Sequence, residues 1–192
     1  MGVFADVNRT IEALLKSELP ADIAKQVSIS FATPDDTFPP TNLTLPAINL
    51  FLFEINENTE LRTVEPLLER RSDGSMMKIP PPVHVDCHYI VTAIAEKQTG
   101  SEQDEHDILG ATLHALLRHR VLPSQLMKGT LAGKTPPIRA TTARKGSTGI
   151  ELWQALKGKP RACLHYTLTI PVDVAVAETT AGPVTSLQVG GT

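Results

Sequence analysis

The sequence is poor in cysteine, in aromatic residues and in positive charge. Its 192 residues include two cysteines, Cys87 and Cys163, and aromatic residues make up 4% of the chain. A small secreted scaffold carries more cysteines in a disulfide pattern, so these two predict buried free thiols in a reducing compartment. The net charge of -3 lacks the concentrated basic surface that binds phosphates, which argues against a nucleic-acid partner.

Long apolar runs are also absent. No stretch approaches the roughly 20 residues of a membrane-spanning helix, and the first ten residues lack the basic and apolar regions of a signal peptide. We therefore expect synthesis in the cytoplasm and no membrane partner. Hydrophobic residues at 41% and charged residues at 20% are typical of a folded domain with a real core.

Two full helices are predicted from apolar residues at helical spacing. The first covers residues 3–15, and Pro20 marks its end. The second opens at Ser101, where Asp104 completes a pattern similar to a capping box, and we expect Pro123 to close it. Both helices present one apolar stripe, which predicts packing on a sheet.

Alternating or continuously apolar segments predict the strands, which cover residues 27–31, 47–55, 83–95 and 161–174, with an edge strand in 137–143. The segment 47–55 is apolar on both faces, so we expect a central strand covered on both sides. Clustered strands with two full helices favour an α+β fold, a mostly antiparallel sheet with helices packed on one face.

Three polar segments separate or follow these elements. Residues 59–79 predict a long exposed excursion with a turn at residues 72–74, and residues 128–149 predict a loop. The alternating pattern is lost after residue 174. The predicted division is therefore a domain over 1–174 and a C-terminal tail or arm over 175–192.

His84, Asp86 and His88 form the pattern that comes nearest to an enzyme site. Alternate residues of a strand share a face, so two imidazoles and a carboxylate could bind zinc or iron there. The alternative is that these side chains are ordinary polar residues of the sheet, because no second ligand segment accompanies them. We favour the alternative and expect no metal and no other cofactor.

A second pattern, GTLAGK at residues 129–134, superficially resembles a phosphate-binding loop. Gly129 and Gly133 are one residue too close for the GxxxxGK[ST] arrangement, and no strand precedes them. We interpret it as a chance match.

The chain has one tryptophan, Trp153, on a short helical segment over 151–156. A lone tryptophan is most often a core anchor, and the alternative is an anchor in a binding interface. The candidate interface residues are Trp153, Arg70, Arg71, Arg144, Lys145, Val172, Val174 and Val176.

Four segments resemble a known family in their order and content. They are PAINLFLFEINENTELR (46–62), PPPVHVDCHYIVTAIAE (80–96), EHDILGATLHALL (105–117) and ELWQALKGKPRACLHYTLTIPV (151–172). Together they resemble the N-terminal domain of tail cap, or terminator, proteins of extracellular contractile injection systems of the antifeeding-prophage and virulence-cassette type. The resemblance covers most of residues 1–174.

The resemblance implies a fold similar to phage tail terminators and a structural protein without an active site. It implies a homo-oligomeric ring, a hexamer, that closes an inner tube and anchors the distal end of the surrounding sheath. The implied partners are further copies of the chain, the inner tube protein and the sheath protein. The implied location is a contractile particle assembled in the bacterial cytoplasm and released outside the cell. A baseplate or adaptor component of the same machine is the alternative.

Overall fold

The computed structural model describes residues 2–72, 75–96, 101–134, 137–143, 149–174 and 178–181. The helices are α1 (Val3–Glu18), α2 (Ala21–Gln26), α3 (Glu102–Leu117) and α4 (Gly149–Ala155). The strands are β1 (Ser28–Ser30), β2 (Ala47–Glu57), β3 (Leu67–Arg70), β4 (Met76–Ile79), β5 (Val83–Ile94), β6 (Arg139–Thr141), β7 (Leu164–Val172) and β8 (Glu178–Ala181). Single 3-10 turns lie at Thr59–Leu61, Ser124–Leu126 and Gly129–Leu131.

Five strands form the main sheet in the order β1-β2-β5-β7-β6. The β2–β5, β5–β7 and β6–β7 pairs are antiparallel, and only the short β1 runs parallel to its neighbour β2. The predicted α+β fold with a mostly antiparallel sheet is confirmed, and the segment predicted as an edge strand lies at the β6 edge.

The core lies between one face of this sheet and the two long helices. Alternate residues of β5 point into it, and Cys87, Tyr89 and Val91 have no exposed surface. The helices contribute the buried side chains Val7, Ile11, Leu14 and Leu15 from α1, and Ile108, Leu109, Ala115 and Leu116 from α3. Each fully buried leucine or isoleucine contributes about 1.5–3 kcal/mol of transfer free energy. The packing of the apolar helix faces on the sheet therefore makes the largest contribution to the stability of the domain.

The predicted coverage of residues 47–55 on both faces is wrong at the end of that segment, at Glu54 and Ile55. Residues 47–50 are buried on both faces, but residues 54–57 are exposed. The short β1 pairs only with Ala47–Asn49, so the later residues of β2 have a neighbouring strand on one side only. The polar side chains of Glu54 and Asn56 suit this open position.

The helix α3 begins as predicted and ends earlier than predicted. The Ser101 hydroxyl accepts from the Asp104 amide, and the Asp104 carboxylate accepts from the Ser101 amide, which is a complete capping box. The helix ends at Leu117 rather than at Pro123. Before that proline, Val121 already forms an isolated antiparallel bridge with Arg139, so the chain has become extended.

A second, three-stranded sheet has the order β3-β4-β8 and was not predicted. Its β3 and β4 form a hairpin within the segment predicted as an exposed excursion. The β8 strand, which falls within the predicted tail, pairs antiparallel with β4. Three strands are about the minimum for independent stability of a small sheet, so β8 supports this hairpin.

Candidate functional site

The side chains of His84, Asp86 and His88 lie on the polar face of the main sheet, opposite the helices. Asp86 is 5% exposed. Its carboxylate accepts hydrogen bonds from Asn58 Nδ2 at 3.2 and 3.1 Å and from Thr169 Oγ1 at 2.6 Å. These bonds connect β5 to the end of β2 and to β7, so the carboxylate ties three parts of the sheet together.

His88 is bonded on both sides of its ring. Nδ1 lies 2.9 Å from Thr167 Oγ1, and Nε2 lies 2.7 Å from Asn56 Oδ1. The His84 Nδ1 atom is buried and has no hydrogen-bond partner among the described residues. Two of the three hypothetical metal ligands thus already have their polar atoms in use, and no group of three His, Cys, Asp or Glu side chains in the described part of the chain is placed to hold a metal ion.

The GTLAGK segment does bind an anion, and the anion belongs to the chain itself. The Asp6 Oδ2 atom accepts from the Thr130 amide at 2.8 Å and from Thr130 Oγ1 at 2.7 Å. Arg9 also pairs with this carboxylate. Gly129 has a φ of 56° there, and an added Cβ would lie 2.3 Å from Asp6 Oδ1. The loop therefore fastens to α1 and leaves no space for a phosphate.

The hydrogen bonds at this loop lower the pKa of Asp6. Its side chain is fully buried, and donation from Thr130, followed by the Arg9 contact, lowers the pKa from 3.8 to about 2. Burial acts the other way on Cys87, where desolvation and then the Asp86 charge raise the thiol pKa to about 12. Cys87 is therefore an unreactive core thiol. Cys163 is half-buried, and neither cysteine forms a disulfide.

The side chain of Trp153 is buried. It is 5% exposed and packs beside Gly158, where an added Cβ would lie 2.4 Å from the Pro34 carbonyl oxygen and 3.3 Å from Trp153 Cε3. Gly158 thus lies close to both the Trp153 ring and the loop after β1. The position agrees with the core interpretation, and an interface role for Trp153 stays a prediction.

The other candidate interface residues do not form one site. Arg70 and Arg71 are exposed at the end of β3, and Arg71 Nη2 lies 3.0 Å from Met77 Sδ. Val172 is half-buried at the end of β7, whereas Val174 is 66% exposed. Arg144, Lys145 and Val176 lie outside the described residues. All of these remain predictions.

A groove at the outer edge of β6 was not predicted. Its volume is about 330 Å³, and it is lined by the end of α3 with the residue Arg120 that follows it, and by β6 with the residues after it: Leu116, Leu117, Arg120, Ala140, Thr141, Thr142 and Ala143. We call it the edge groove. The sequence signal that could have indicated it is the apolar pair Leu117 and Val121, which continues past the buried stripe of α3 and is 53% and 50% exposed.

A larger open cleft of about 720 Å³ lies between the start of α3 and residues 159–162. An ion pair crosses it, with Arg161 Nη1 at 2.5 Å from Glu105 Oε1. The same carboxylate accepts from the Ala95 amide at 3.2 Å. These bonds hold the segment before β7 to α3 and to the end of β5, so we interpret the charges of the cleft as structural.

The family comparison identifies one domain family over most of the chain. The model of the Pvc16 N-terminal domain family matches residues 6–186. No curated protein matches the chain. Among the described helices, none has the length and apolar character needed to cross a bilayer.

Two solved structures share the fold. One is the sheath/tube terminator of the PVC extracellular contractile injection system in its extended state, with 23% identity and a TM-score of 0.70 over 100% of this chain and 64% of that chain. The other is the tube-terminating cap of the anti-feeding prophage, with 24% identity and a TM-score of 0.70 over 99% of this chain and 62% of that chain. The chain thus spans less than two thirds of the length of either structure, and the likeness establishes its fold.

Proposed function

Because the chain belongs to the Pvc16 N-terminal domain family, we propose that it is a structural cap, or tail terminator, of a contractile injection system. The observation that carries the proposal is the family match over residues 6–186 together with the shared fold of two proteins that are named as a terminator and a cap. The proposed role is to close the end of an inner tube and to anchor the end of the sheath, without catalysis.

The proposed assembly is a homo-oligomeric ring, a hexamer, that contacts the tube protein and the sheath protein. Two features of the chain support a ring. Its main sheet ends on two different edges, β1 on one side and β6 on the other, and a closed ring needs two different surfaces on each subunit. The second sheet supplies a separate projecting element for a further partner.

The hydrogen-bonded polar face around Asp86 supports a structural role. Asn58, Thr167 and Thr169 occupy its polar atoms, so the residues that come nearest to an enzyme site stabilise the sheet instead. The proposed location is a particle assembled in the bacterial cytoplasm and released outside the cell.

The position of the chain on native particles tests the proposal. An epitope placed after Thr192 would be labelled with gold and viewed by negative-stain electron microscopy, with untagged particles as the control. Label at the end opposite the baseplate is the expected result. Label at the baseplate would identify an adaptor instead. Particles without label would show that the chain is not a component of the particle.

A further inference from the structure

The outer side of β2 is a free strand edge over its last residues. In the edge groove, by contrast, β6 is already paired, because the Ala140 amide donates to the Arg120 carbonyl at 2.8 Å. At the other side of the main sheet, β1 pairs only with Ala47–Asn49. The later residues of β2 therefore pair with β5 alone, and residues 54–57 are all exposed. We call residues 54–57 the β2 edge.

The hydrogen-bond pattern shows which backbone groups the β2 edge offers. The Asn58 amide donates to the His84 carbonyl at 2.9 Å, so these two residues form a hydrogen-bonded antiparallel pair. Such pairs occur at every second residue, so the amides and carbonyls of Ile55 and Glu57 point away from β5. Among the described residues, the only group that bonds to them is Asn56 Nδ2, which lies 3.5 Å from the Glu57 carbonyl oxygen.

The second sheet has a matching free edge on its outer strand, β3. The Arg71 amide donates to the Ser75 carbonyl at 2.9 Å, which is a hydrogen-bonded pair of the β3–β4 hairpin. By the same alternation, the backbone groups of Leu68 and Arg70 point away from β4. No described residue bonds to these groups. Residues 68–71 are exposed, and we call them the β3 edge.

The two edges are complementary in apolar surface and in charge. Ile55 on the β2 edge is 45% exposed, and Leu68 on the β3 edge is 58% exposed. The Glu54 carboxylate on the β2 edge makes no ion pair with any described residue, and the same holds for the guanidinium groups of Arg70 and Arg71 on the β3 edge. Strand pairing would therefore cover two exposed apolar side chains and bring unpaired charges of opposite sign together.

One antiparallel register satisfies both edges at once. It places Ile55 opposite Arg70 and Glu57 opposite Leu68, so all the outward amides and carbonyls form hydrogen-bonded pairs. Ile55 and Leu68 are then diagonal neighbours on one face, within reach of each other. Glu54 lies opposite Arg71 in a pair that is not hydrogen-bonded, which is the type that brings cross-strand side chains closest.

The two edges belong to separate sheets and are not paired with each other within the chain. A contact between the β2 edge of one copy and the β3 edge of another uses different surfaces on the two copies. This is the head-to-tail type of contact that closes into a ring. It leaves the β8 side of the second sheet for a further partner.

We propose that the β3 edge of one copy pairs antiparallel with the β2 edge of the next copy and extends its main sheet by one strand. The proposal rests on the ring that belongs to the proposed function and assigns the surfaces from which the ring is built.

A proline substitution tests the backbone contact. Ile55→Pro removes an outward amide, and an edge strand tolerates proline where the amide faces solvent. The variant should weaken self-association of the purified chain about tenfold in sedimentation velocity, with little change in melting temperature. Ile55→Val keeps the amide and an apolar side chain and is the matched control. Wild-type association in a folded Ile55→Pro variant would overturn the proposal.

Charge reversal tests the register. Glu54→Arg or Arg71→Glu alone should weaken self-association about fivefold, because like charges then lie opposite each other. The double variant should recover it, since the pair is restored with its signs exchanged. Asp36→Arg and Lys25→Glu reverse charges at exposed positions elsewhere and should leave association unchanged. A double variant that is as weak as the single variants would contradict this register.

A cysteine pair shows where the contact forms. Glu54→Cys with Arg71→Cys should give a ladder of covalent oligomers on non-reducing gels after mild oxidation, in the purified chain and in assembled particles. Neither single variant should give a ladder, and the shifted pair Glu54→Cys with Glu69→Cys should cross-link much less. Absence of the ladder in both samples, or a cross-link within one chain only, would overturn the proposal.

The outcomes separate this inference from the cap role. Gold label at the particle end without a ladder means that the cap is built through other surfaces. A ladder with label at the baseplate keeps the contact and removes the cap role.

Discussion

Asp6 shows how a single buried carboxylate can organise a loop far away in the sequence. Its oxygens fasten the turn at Gly129–Leu131 to α1, and Thr10 of the same helix accepts from the Lys128 amide at 3.1 Å. A carboxylate that is buried with several donors stays ionised and is costly to leave unpaired. The loop after α3 therefore depends on the first turns of α1.

Replacing Asp6 by asparagine should lower the melting temperature in a way that depends on pH. The pKa of Asp6 is about 2 in the folded chain and 3.8 ordinarily, so its stabilisation is full above about pH 4 and is lost as the pH falls towards about 2. The difference in melting temperature between wild type and Asp6→Asn should shrink over that interval. Calorimetry from about pH 6 to about pH 2 measures it. Asp22→Asn, at an exposed position of α2, is the control, and a difference that is constant with pH would contradict the assignment.

Alanine should be tolerated much less well at Gly129 than at Gly133. Both residues have a positive φ, 56° and 73°, so each alanine has a backbone cost of about 1–2 kcal/mol. Only at Gly129 does the new Cβ also meet the Asp6 carboxylate, whereas nothing lies within 4 Å at Gly133. Gly129→Ala should therefore lower the free energy of unfolding by about 1–3 kcal/mol more than Gly133→Ala. If urea titrations give the same loss of unfolding free energy for both variants, the loop at Gly129 can move away from Asp6 without cost.

Residue patterns alone could not predict the Asp6 contact. Asp6 and Thr130 are 124 positions apart, and neither carries a local signal for pairing with the other. The sequence did indicate that GTLAGK lacks the spacing of a phosphate loop. The same limit applies at His88, where the alternation predicts the shared face but not the hydrogen-bond partners from two other strands.

At the scale of the elements, local signals predicted the elements that pack on the core. The capping box at Ser101 and Asp104 defines the start of α3, because both partners lie within four residues of each other. The end of α3 was missed, because it is determined by pairing of Val121 with Arg139. Likewise β3 and β4 were missed, since charged residues interrupt their alternation and their third strand, β8, is distant in sequence.

One substitution inside α3 is expected to stabilise the domain. Gly110 lies in the middle of the helix, and an added Cβ would meet nothing within 4 Å. Gly110→Ala should raise the free energy of unfolding by about 0.5–1 kcal/mol, because alanine loses less backbone entropy on folding. Chemical denaturation measures the gain. A lower stability of the purified chain would contradict the prediction. A loss of stability in the assembled form alone would mean that another chain approaches this side of the helix.

At the scale of the whole molecule, the chain combines one well-packed layer with elements that have few internal partners. The main sheet and its helices bury a continuous core. The second sheet is joined mainly through its own strands. Leu68 in its strand β3 is 58% exposed, and Val64 just before that strand is 83% exposed. Exposed apolar residues on such an element are typical of a surface that a partner covers. This division suits a subunit with a rigid body and separate contact elements.

The C-terminal segment is predicted to contribute to assembly rather than to folding of the main sheet. Deleting residues 175–192 removes β8 and leaves β3 and β4 as an isolated hairpin, which is marginal in water. Hydrogen exchange should show faster exchange in β4, with α1 and β5 unchanged because their core does not involve β8.

The same deletion should abolish attachment of the chain to particles, measured by co-sedimentation. Deleting only residues 182–192 keeps β8 and separates the strand from the segment that follows it. Loss of attachment in the longer deletion alone would assign the role to β8, because only that deletion removes the strand that pairs with β4. Loss in both would assign it to the last eleven residues, which lie beyond the strand. Unchanged attachment in both would rule out a role for this segment and leave the edges of the main sheet as the remaining contacts.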